Sequence, residues 1–396
     1  MEYDFTSSPE RRGTASVKWD LCPDPEVIPM WVADMDFKAA PFILDALRKR
    51  VEHGVFGYVH VPDSYYDAVI EWFRRRRGWE IRREWIQYIG GIVPAISVVV
   101  ASFTEKGDNV LINAPAYNCF YSCVRNCGCN VLENKLLYNA EEHSFSLDSD
   151  DLERKCSDPR TKIFLFCNPH NPSGRIWTKE ELESVGEICR AHGVMVVSDE
   201  IHCEIEMPGH TFTPFAAVSP ENQDCCITFN SPTKSFNLAG LQISNIITPH
   251  KEWRDKIDRT LNVWEHCDLN PFGVDALQAA YTEEGEKWLR EMNSVVYSNY
   301  QLLRDTLAKE VPECPVCRLE GTYLAWVDCM ALTSRGISTN ELSQELIKEE
   351  KVWINSGTMY GDGDFVRINL ACPPARMQEG TSRIIRGIKR LLQTVV

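Results

Sequence analysis

No stretch of this sequence is apolar for long enough to cross a bilayer. The longest, Ile92–Phe103, falls well short of the ~20 residues a spanning helix needs, and it carries Pro94. Positive charge is also in short supply. The 42 Lys and Arg residues against 57 Asp and Glu leave a formal net charge of −15. A protein that tracks nucleic-acid phosphates needs a basic footprint, so nucleic acid is not an expected partner. The one basic block, Arg74–Arg77, reads as a solvated helix end. Met1–Arg12 is polar and lacks the apolar core of a signal peptide, so neither export nor membrane attachment is expected and the cytoplasm is the expected location. Repeats and low-complexity segments are missing. Cysteine is not missing, with sixteen residues, but a metal-binding arrangement is. Cys314 and Cys317 form a lone CxxC with no second pair and no His cluster after it, where zinc needs four convergent ligands. Cys119, Cys123 and Cys127 recur every four residues, which puts them on one helix face. Reduced, buried thiols and no metal are expected.

What is present is the texture of an α/β protein. The 396 residues, 44% hydrophobic and 25% charged, suit two ordinary globular domains. β-branched or fully apolar runs at Asn109–Asn113, Asn130–Leu137, Lys162–Cys167, Val194–Ser198, Cys225–Phe229 and Ile243–Thr248 read as strands covered on both faces. Helical patterns such as Ile96–Thr104, Tyr117–Asn126 and Lys179–His192 lie between them. The alternation predicts a parallel sheet wrapped by helices. Past about residue 285 the long helical stretches Gly285–Val311, Ser338–Glu350 and Met377–Thr394 flank short strand pairs near Tyr323–Val327 and Phe365–Ile368, the pattern of a smaller α+β domain. The expected division is an N-terminal arm, 1–45, packing on the small domain; a large domain, 46–284; and the small domain, 285–396.

Four local signals occur in order, each at the carboxyl end of a strand. The first is Gly90-Gly91-Ile92-Val93-Pro94-Ala95, a glycine turn opening a helix, where free N–H groups and the helix dipole suit a phosphate. A plain helix start reads the same way. The second is Asn168-Pro169-His170-Asn171-Pro172-Ser173-Gly174, which places Asn171 where open α/β sheets bind ligands; a tight Asn-Pro turn is the plainer reading. The third is Ser198-Asp199-Glu200-Ile201-His202, an acidic pair ending a buried strand. Such a pair is costly unless partnered, and a carboxylate there is suited to holding a proton on a ring nitrogen, although Asp199 as a helix cap is an alternative. The fourth, Asn230-Ser231-Pro232-Thr233-Lys234-Ser235-Phe236, sets one lysine among hydroxyls, where it can titrate low enough to act as a nucleophile. Alone it reads as a surface lysine in a loop. Together the four supply a phosphate cradle, a donor to a ring oxygen, a pyridinium carboxylate and a Schiff-base lysine, the parts of a pyridoxal 5'-phosphate site.

On these motifs the sequence resembles the fold type I pyridoxal-phosphate enzymes, the aspartate aminotransferase superfamily, over nearly its whole length. Pro29-Met30-Trp31-Val32-Ala33-Asp34-Met35-Asp36-Phe37 is similar to the signature of bacterial carbon–sulfur β-lyases, a subgroup that includes the cystathionine β-lyases and the maltose-regulon modulator. His53–Tyr58, Lys234–Gln242, Gly321–Trp326 and Phe365–Asn369 extend the match. The resemblance implies a large domain with a mostly parallel seven-stranded sheet, and a homodimer with shared active sites. It implies that Lys234 carries the cofactor, Asp199 pairs with the pyridinium nitrogen, Asn171 reaches the ring's phenolic oxygen and Tyr117 stacks on the ring. Ile92, Val93, Ser231 and Thr233 would hold the phosphate, with Asn168 and His202 also at the cofactor. Tyr58 would reach across to the other subunit's site. Arg367 would take the substrate α-carboxylate as a bidentate pair, with Asn171 and the backbone near Ala33 beside it. Two positions depart from the aminotransferase pattern: His202 stands where most have Tyr, and Gln242 where most have Arg.

The implied reaction is β-elimination from an amino-acid thioether, either cystathionine or another S-substituted cysteine, giving a thiol, pyruvate and ammonia. The alternatives are a class I/II aminotransferase, which shares the first steps, and a regulatory interaction protein built on the lyase fold.

Overall fold

Six of the apolar runs become strands of one sheet, and a seventh strand joins them. In the computed structural model, which describes residues 2–394, these are β1 (Ile86–Ile89), β2 (Asn109–Ala114), β3 (Asn130–Lys135), β4 (Thr161–Cys167), β5 (Met195–Asp199), β6 (Cys226–Asn230) and β7 (Ser244–Ile247). Their spatial order is β1-β7-β6-β5-β4-β2-β3. Only β7 runs against its neighbours; every other pairing is parallel. The fold is the expected mostly parallel, helix-wrapped sheet. The sequence reading missed β1, because its four residues, Ile-Gln-Tyr-Ile, make a short edge strand with a half-buried middle.

Burial on both faces explains why the strands read as continuous apolar runs. In β4, Ile163 and Leu165 pack with the helices Ile92–Phe103 and Lys251–Val263 on one face, while Phe164 and Phe166 pack against Leu182 and Val185 of the helix Lys179–Ala191 on the other. Each such side chain contributes roughly 1.5–3 kcal/mol on burial. Thr178 and Glu181 start the Lys179–Ala191 helix with a reciprocal capping box.

Two boundaries differ from expectation. The run Asn130–Leu137 breaks at Leu136, and Leu137–Asn139 pairs instead with Ser144–Ser146. The reason lies in its neighbour: β3 is an edge strand paired only with β2, and β2 ends at Ala114 before Pro115, which has no N–H to continue the ladder. The helix expected from Ile96 begins at Ile92. Pro94 occupies its first turn, where the missing N–H has no intrahelical partner to lose.

Beyond the sheet, Leu324–Asp328, Phe365–Asn369 and Asn355–Ser356 form one antiparallel three-stranded sheet with Phe365–Asn369 in the centre. It is flanked by the helices Glu283–Glu310, Thr339–Glu349 and Pro374–Thr394. The N-terminal segment attaches here. Ile28–Pro29 pairs with Val352–Trp353, and Phe5 packs on Phe37 and Trp288. Asp36 is buried against the charges of Lys18, Arg11 and Arg376. Among the described residues no helix is long and apolar enough to cross a membrane. All sixteen cysteines are free. Cys123 and Cys127 point their sulfurs at carbonyls of the helix Ile92–Phe103.

Candidate active site

The carboxyl ends of β1, β2, β4, β5 and β6 open on one edge of the sheet. Because β7 runs the other way, its amino end brings Gln242 to the same edge. A cavity of about 680 Å³ lies there, closed from above by Trp31–Ala33 and by residues of the three-stranded sheet and its loop. Ten of the expected site residues line it: Ala33, Ile92, Val93, Tyr117, Asn171, Asp199, His202, Thr233, Lys234 and Arg367.

The end of the cavity at Gly91–Val93 is a helix start that offers backbone N–H groups. Gly91, at φ 133°, is the N-cap of the helix Ile92–Phe103, and no side chain caps it. An L-residue is strained at that φ. Ile92 and Val93 stand in the first turn, where N–H groups have no intrahelical acceptor. Thr233 shares a hydrogen bond with the Ser231 hydroxyl at 2.7 Å. Ser231 does not line the cavity. Its hydroxyl donates to the Ile243 carbonyl at 2.6 Å and accepts from the Thr233 N–H, so it braces Thr233 from behind. Asn168 is likewise behind the wall. Its amide donates to the Thr213 carbonyl, and its oxygen accepts from the Trp177 N–H, which ties down the loop that carries Asn171.

Lys234 and Asp199 are both titratable groups held out of water. Burial, with Arg367 nearby, pulls the Lys234 amine down to about 8, and its Nζ donates to the Ala33 carbonyl at 2.6 Å. Burial lifts the Asp199 carboxyl to about 7, against the opposing pull of the Ile201 N–H and Lys234. Among the described residues no ion pair holds Asp199. It is a buried carboxylate lining the cavity, a setting that fits a protonated ring nitrogen. His202 is driven down to about 3 by burial and by the charges of Lys234 and Arg367, so its imidazole is neutral. Its Nδ1 is buried without a partner.

At another part of the cavity, Arg367 is buried and has no carboxylate beside it among the described residues. Its Nη1 donates to the Asn171 oxygen at 2.9 Å and its Nη2 to the Trp31 carbonyl at 3.2 Å. Because Asn171 accepts from Arg367, its own N–H groups remain available to a ligand oxygen. A buried cation lacking a counter-ion is a receptor for an anion. Tyr58 is not at this cavity. It is 97% exposed.

Comparison with known proteins follows the same lines. The sequence pattern of the family described as aminotransferase class I and II matches residues 26–384. The chain belongs to this family. It is 41% identical over 387 residues to the cystathionine beta-lyase PatB of Bacillus subtilis, an alignment covering 96% of this chain and 98% of the relative. It is 32% identical to Protein MalY of Escherichia coli, covering 98% and 99%. The crystal structure of cystalysin from Treponema denticola, which contains a pyridoxal 5'-phosphate cofactor, superposes with a TM-score of 0.94 at 34% identity, covering 99% of this chain and 100% of that one.

Within this family fold, several cavity residues carry no sequence motif of their own. His266 and Asp268 precede the helix Pro271–Ala280, and Asn355 and Tyr360 come from the segment before Phe365. Tyr360 is a buried aromatic, 1% exposed, in a short turn whose sequence, Gly-Thr-Met-Tyr, has no helical or strand period. Tyr323, in the quoted Gly321–Trp326 motif, donates from its hydroxyl to the Ala33 carbonyl at 3.0 Å, the same oxygen that Lys234 meets.

Proposed function

We propose that this protein is a pyridoxal 5'-phosphate-dependent carbon–sulfur β-lyase, which cleaves cystathionine or another S-substituted cysteine to a thiol, pyruvate and ammonia. One observation carries the reading: a single cavity joins a low-titrating lysine, an unpaired buried carboxylate and a buried arginine without a counter-ion, in a chain closely similar to a cystathionine β-lyase. Lys234 would hold the cofactor, Asp199 would accept a hydrogen bond from its protonated ring nitrogen, and Asn171 and His202 would lie on its oxygen side. Tyr117 would cover the ring, and Ile92, Val93 and Thr233 would hold its phosphate. When bound, the cofactor supplies the electron sink for charge left at the substrate Cα.

The rest of the reaction falls to the chain. Arg367 holds the substrate carboxylate, with Asn171 and the backbone at Ala33 beside it, which fixes the Cα–H bond toward Lys234. The Lys234 amine, neutral over much of its population near pH 8, takes the Cα proton onto Nζ. The Ala33 carbonyl accepts a hydrogen bond from that nitrogen. The strap Trp31–Ala33 lines the cavity, where it would help keep water from the reacting centre.

The decisive experiment is product analysis with L-cystathionine, with and without a 2-oxo acid. The expected result is continuous release of thiol, pyruvate and ammonia with no oxo acid present. An aminotransferase would stop after one turnover and restart when an oxo acid is added. Absence of thiol release from several cysteine thioethers, with amino transfer to an oxo acid, would replace the lyase reading.

The active unit in this reading is a cytoplasmic homodimer, with domain boundaries near residues 45 and 284. Tyr58 stands exposed with Val55 and Phe56 beside it, away from its own cavity and available to a second copy. Mixing Tyr58→Phe with Lys234→Ala should restore some activity as hybrid dimers form, because one of their two sites then has both residues intact. No recovery after verified subunit exchange would remove Tyr58 from the shared site.

A further inference from the structure

We propose that Tyr360, held by Asn355, is a positioning residue that sets the guanidinium of Arg367 for the substrate carboxylate. This deepens the reading in which Arg367 grips that group. A buried arginine without a carboxylate partner needs something else to fix its plane. Here the Tyr360 ring lies beneath it, with the guanidinium carbon 4.4 Å from the ring centroid. A ring face attracts a cation most when both are out of water, and both residues are buried.

The ring is itself pinned from several sides. The Asn355 amide donates to the Tyr360 hydroxyl at 2.9 Å and to the Trp31 carbonyl at 2.9 Å. That carbonyl also accepts from Arg367 Nη2, which closes a loop of contacts: Arg367, Trp31, Asn355, Tyr360 and back through the ring face. The Tyr360 carbonyl accepts from the Ala116 N–H at 2.8 Å and from the Tyr121 hydroxyl at 3.2 Å, while Trp326 meets the ring edge-on at 5.8 Å. With the floor fixed by Tyr360 and one edge by Asn171, the guanidinium keeps one plane, and its buried Nε, which has no partner, stays in that plane. A bidentate pair with a carboxylate depends on such alignment. An aliphatic side chain at 360 fills similar space but leaves the cation free to tilt.

The test compares two ligands of the cofactor-loaded enzyme, followed by the change in cofactor absorbance on binding: S-methyl-L-cysteine, and S-methylcysteamine, which lacks the carboxylate. In Tyr360→Leu, affinity for S-methyl-L-cysteine should fall about tenfold. Affinity for S-methylcysteamine should stay within about twofold and kcat for the amino acid within about threefold. Tyr360→Met, closer in volume, is measured alongside and should behave the same, so the result does not hang on one variant folding well. Tyr360→Phe keeps the ring face and should recover most of the affinity. Equal weakening of both ligands would mean that the ring only packs the cavity, and no weakening of either would mean that Arg367 is set without it; each result overturns the proposal. Arg367→Lys checks the underlying reading separately. It should weaken the amino acid and spare the amine, and failure to distinguish them there would remove the carboxylate grip itself.

Discussion

Lys234→Ala should show no β-elimination above background, a fall of at least about 10⁴-fold, as expected when a residue that forms the covalent link and moves the proton is lost. The wild-type protein should be yellow, and borohydride should fix the cofactor irreversibly to Lys234, as read by mass of the modified peptide. Finding the adduct on another lysine would sink the assignment. Lys234→Arg separates charge from chemistry: it keeps a cation in the cavity but offers no amine to link the cofactor, and it should be equally inactive. The pH dependence of capture has a definite sign. Attack on the cofactor's aldehyde needs the uncharged amine, and burial lowers this lysine to about 8. At pH 7 roughly one amine in ten is then uncharged, against fewer than about one in a thousand at the ordinary value. Capture by apoprotein should therefore speed up as pH rises through about 8 and level off above it. A rate that keeps climbing tenfold per pH unit beyond 9 would mean that the lysine is not desolvated as described.

The sheet and the lysine, carboxylate and asparagine of the site were legible in the sequence because each motif directly follows a fully buried strand. A strand covered on both faces is a plain apolar run, and its carboxyl end is where such folds place ligands. Two of the expected residues that do not line the cavity come from these same loops. Ser231 and Asn168 lie within three residues of Thr233 and Asn171, yet their side chains turn into the protein. Composition cannot say which of two polar neighbours on a loop faces the cavity; only the buried acceptors, the Ile243 and Thr213 carbonyls, decide it. The end of the cavity around Arg367 was harder for another reason. Trp31, Asn355, Tyr360 and Arg367 meet across more than 300 residues of chain, so no local pattern unites them. Tyr58 carries a motif but lines no cavity of its own chain, where its side chain is exposed.

Asp199→Asn should keep the cofactor and lose roughly 10²–10⁴-fold in kcat. Burial lifts this carboxyl group to about 7. Such a group is costly as a lone anion and becomes favourable only when a cation sits beside it. A pyridinium N–H supplies that cation, and the carboxylate in turn keeps the nitrogen protonated, so that charge from the substrate Cα can flow toward it. Asparagine has nearly the same shape and can still hydrogen-bond the ring, but it cannot stabilise the positive charge. Retained colour with collapsed turnover is therefore the expected pair of results. Near-normal turnover would take the role from Asp199, and loss of the cofactor altogether would make it an anchor instead. The neighbouring acid provides the contrast. Glu200 follows Asp199 directly and turns the other way, accepting from the Ser198 hydroxyl and the Phe215 N–H at 2.9 Å each, as adjacent residues leaving a strand tend to do. Burial lifts it to about 8, so it is mostly neutral at pH 7 and lies outside the cavity wall. Glu200→Gln preserves that neutral form and should leave kcat within about threefold. If both variants lose activity alike, the effect belongs to the strand end as a whole, and the specific pairing of Asp199 with a ring nitrogen has no support.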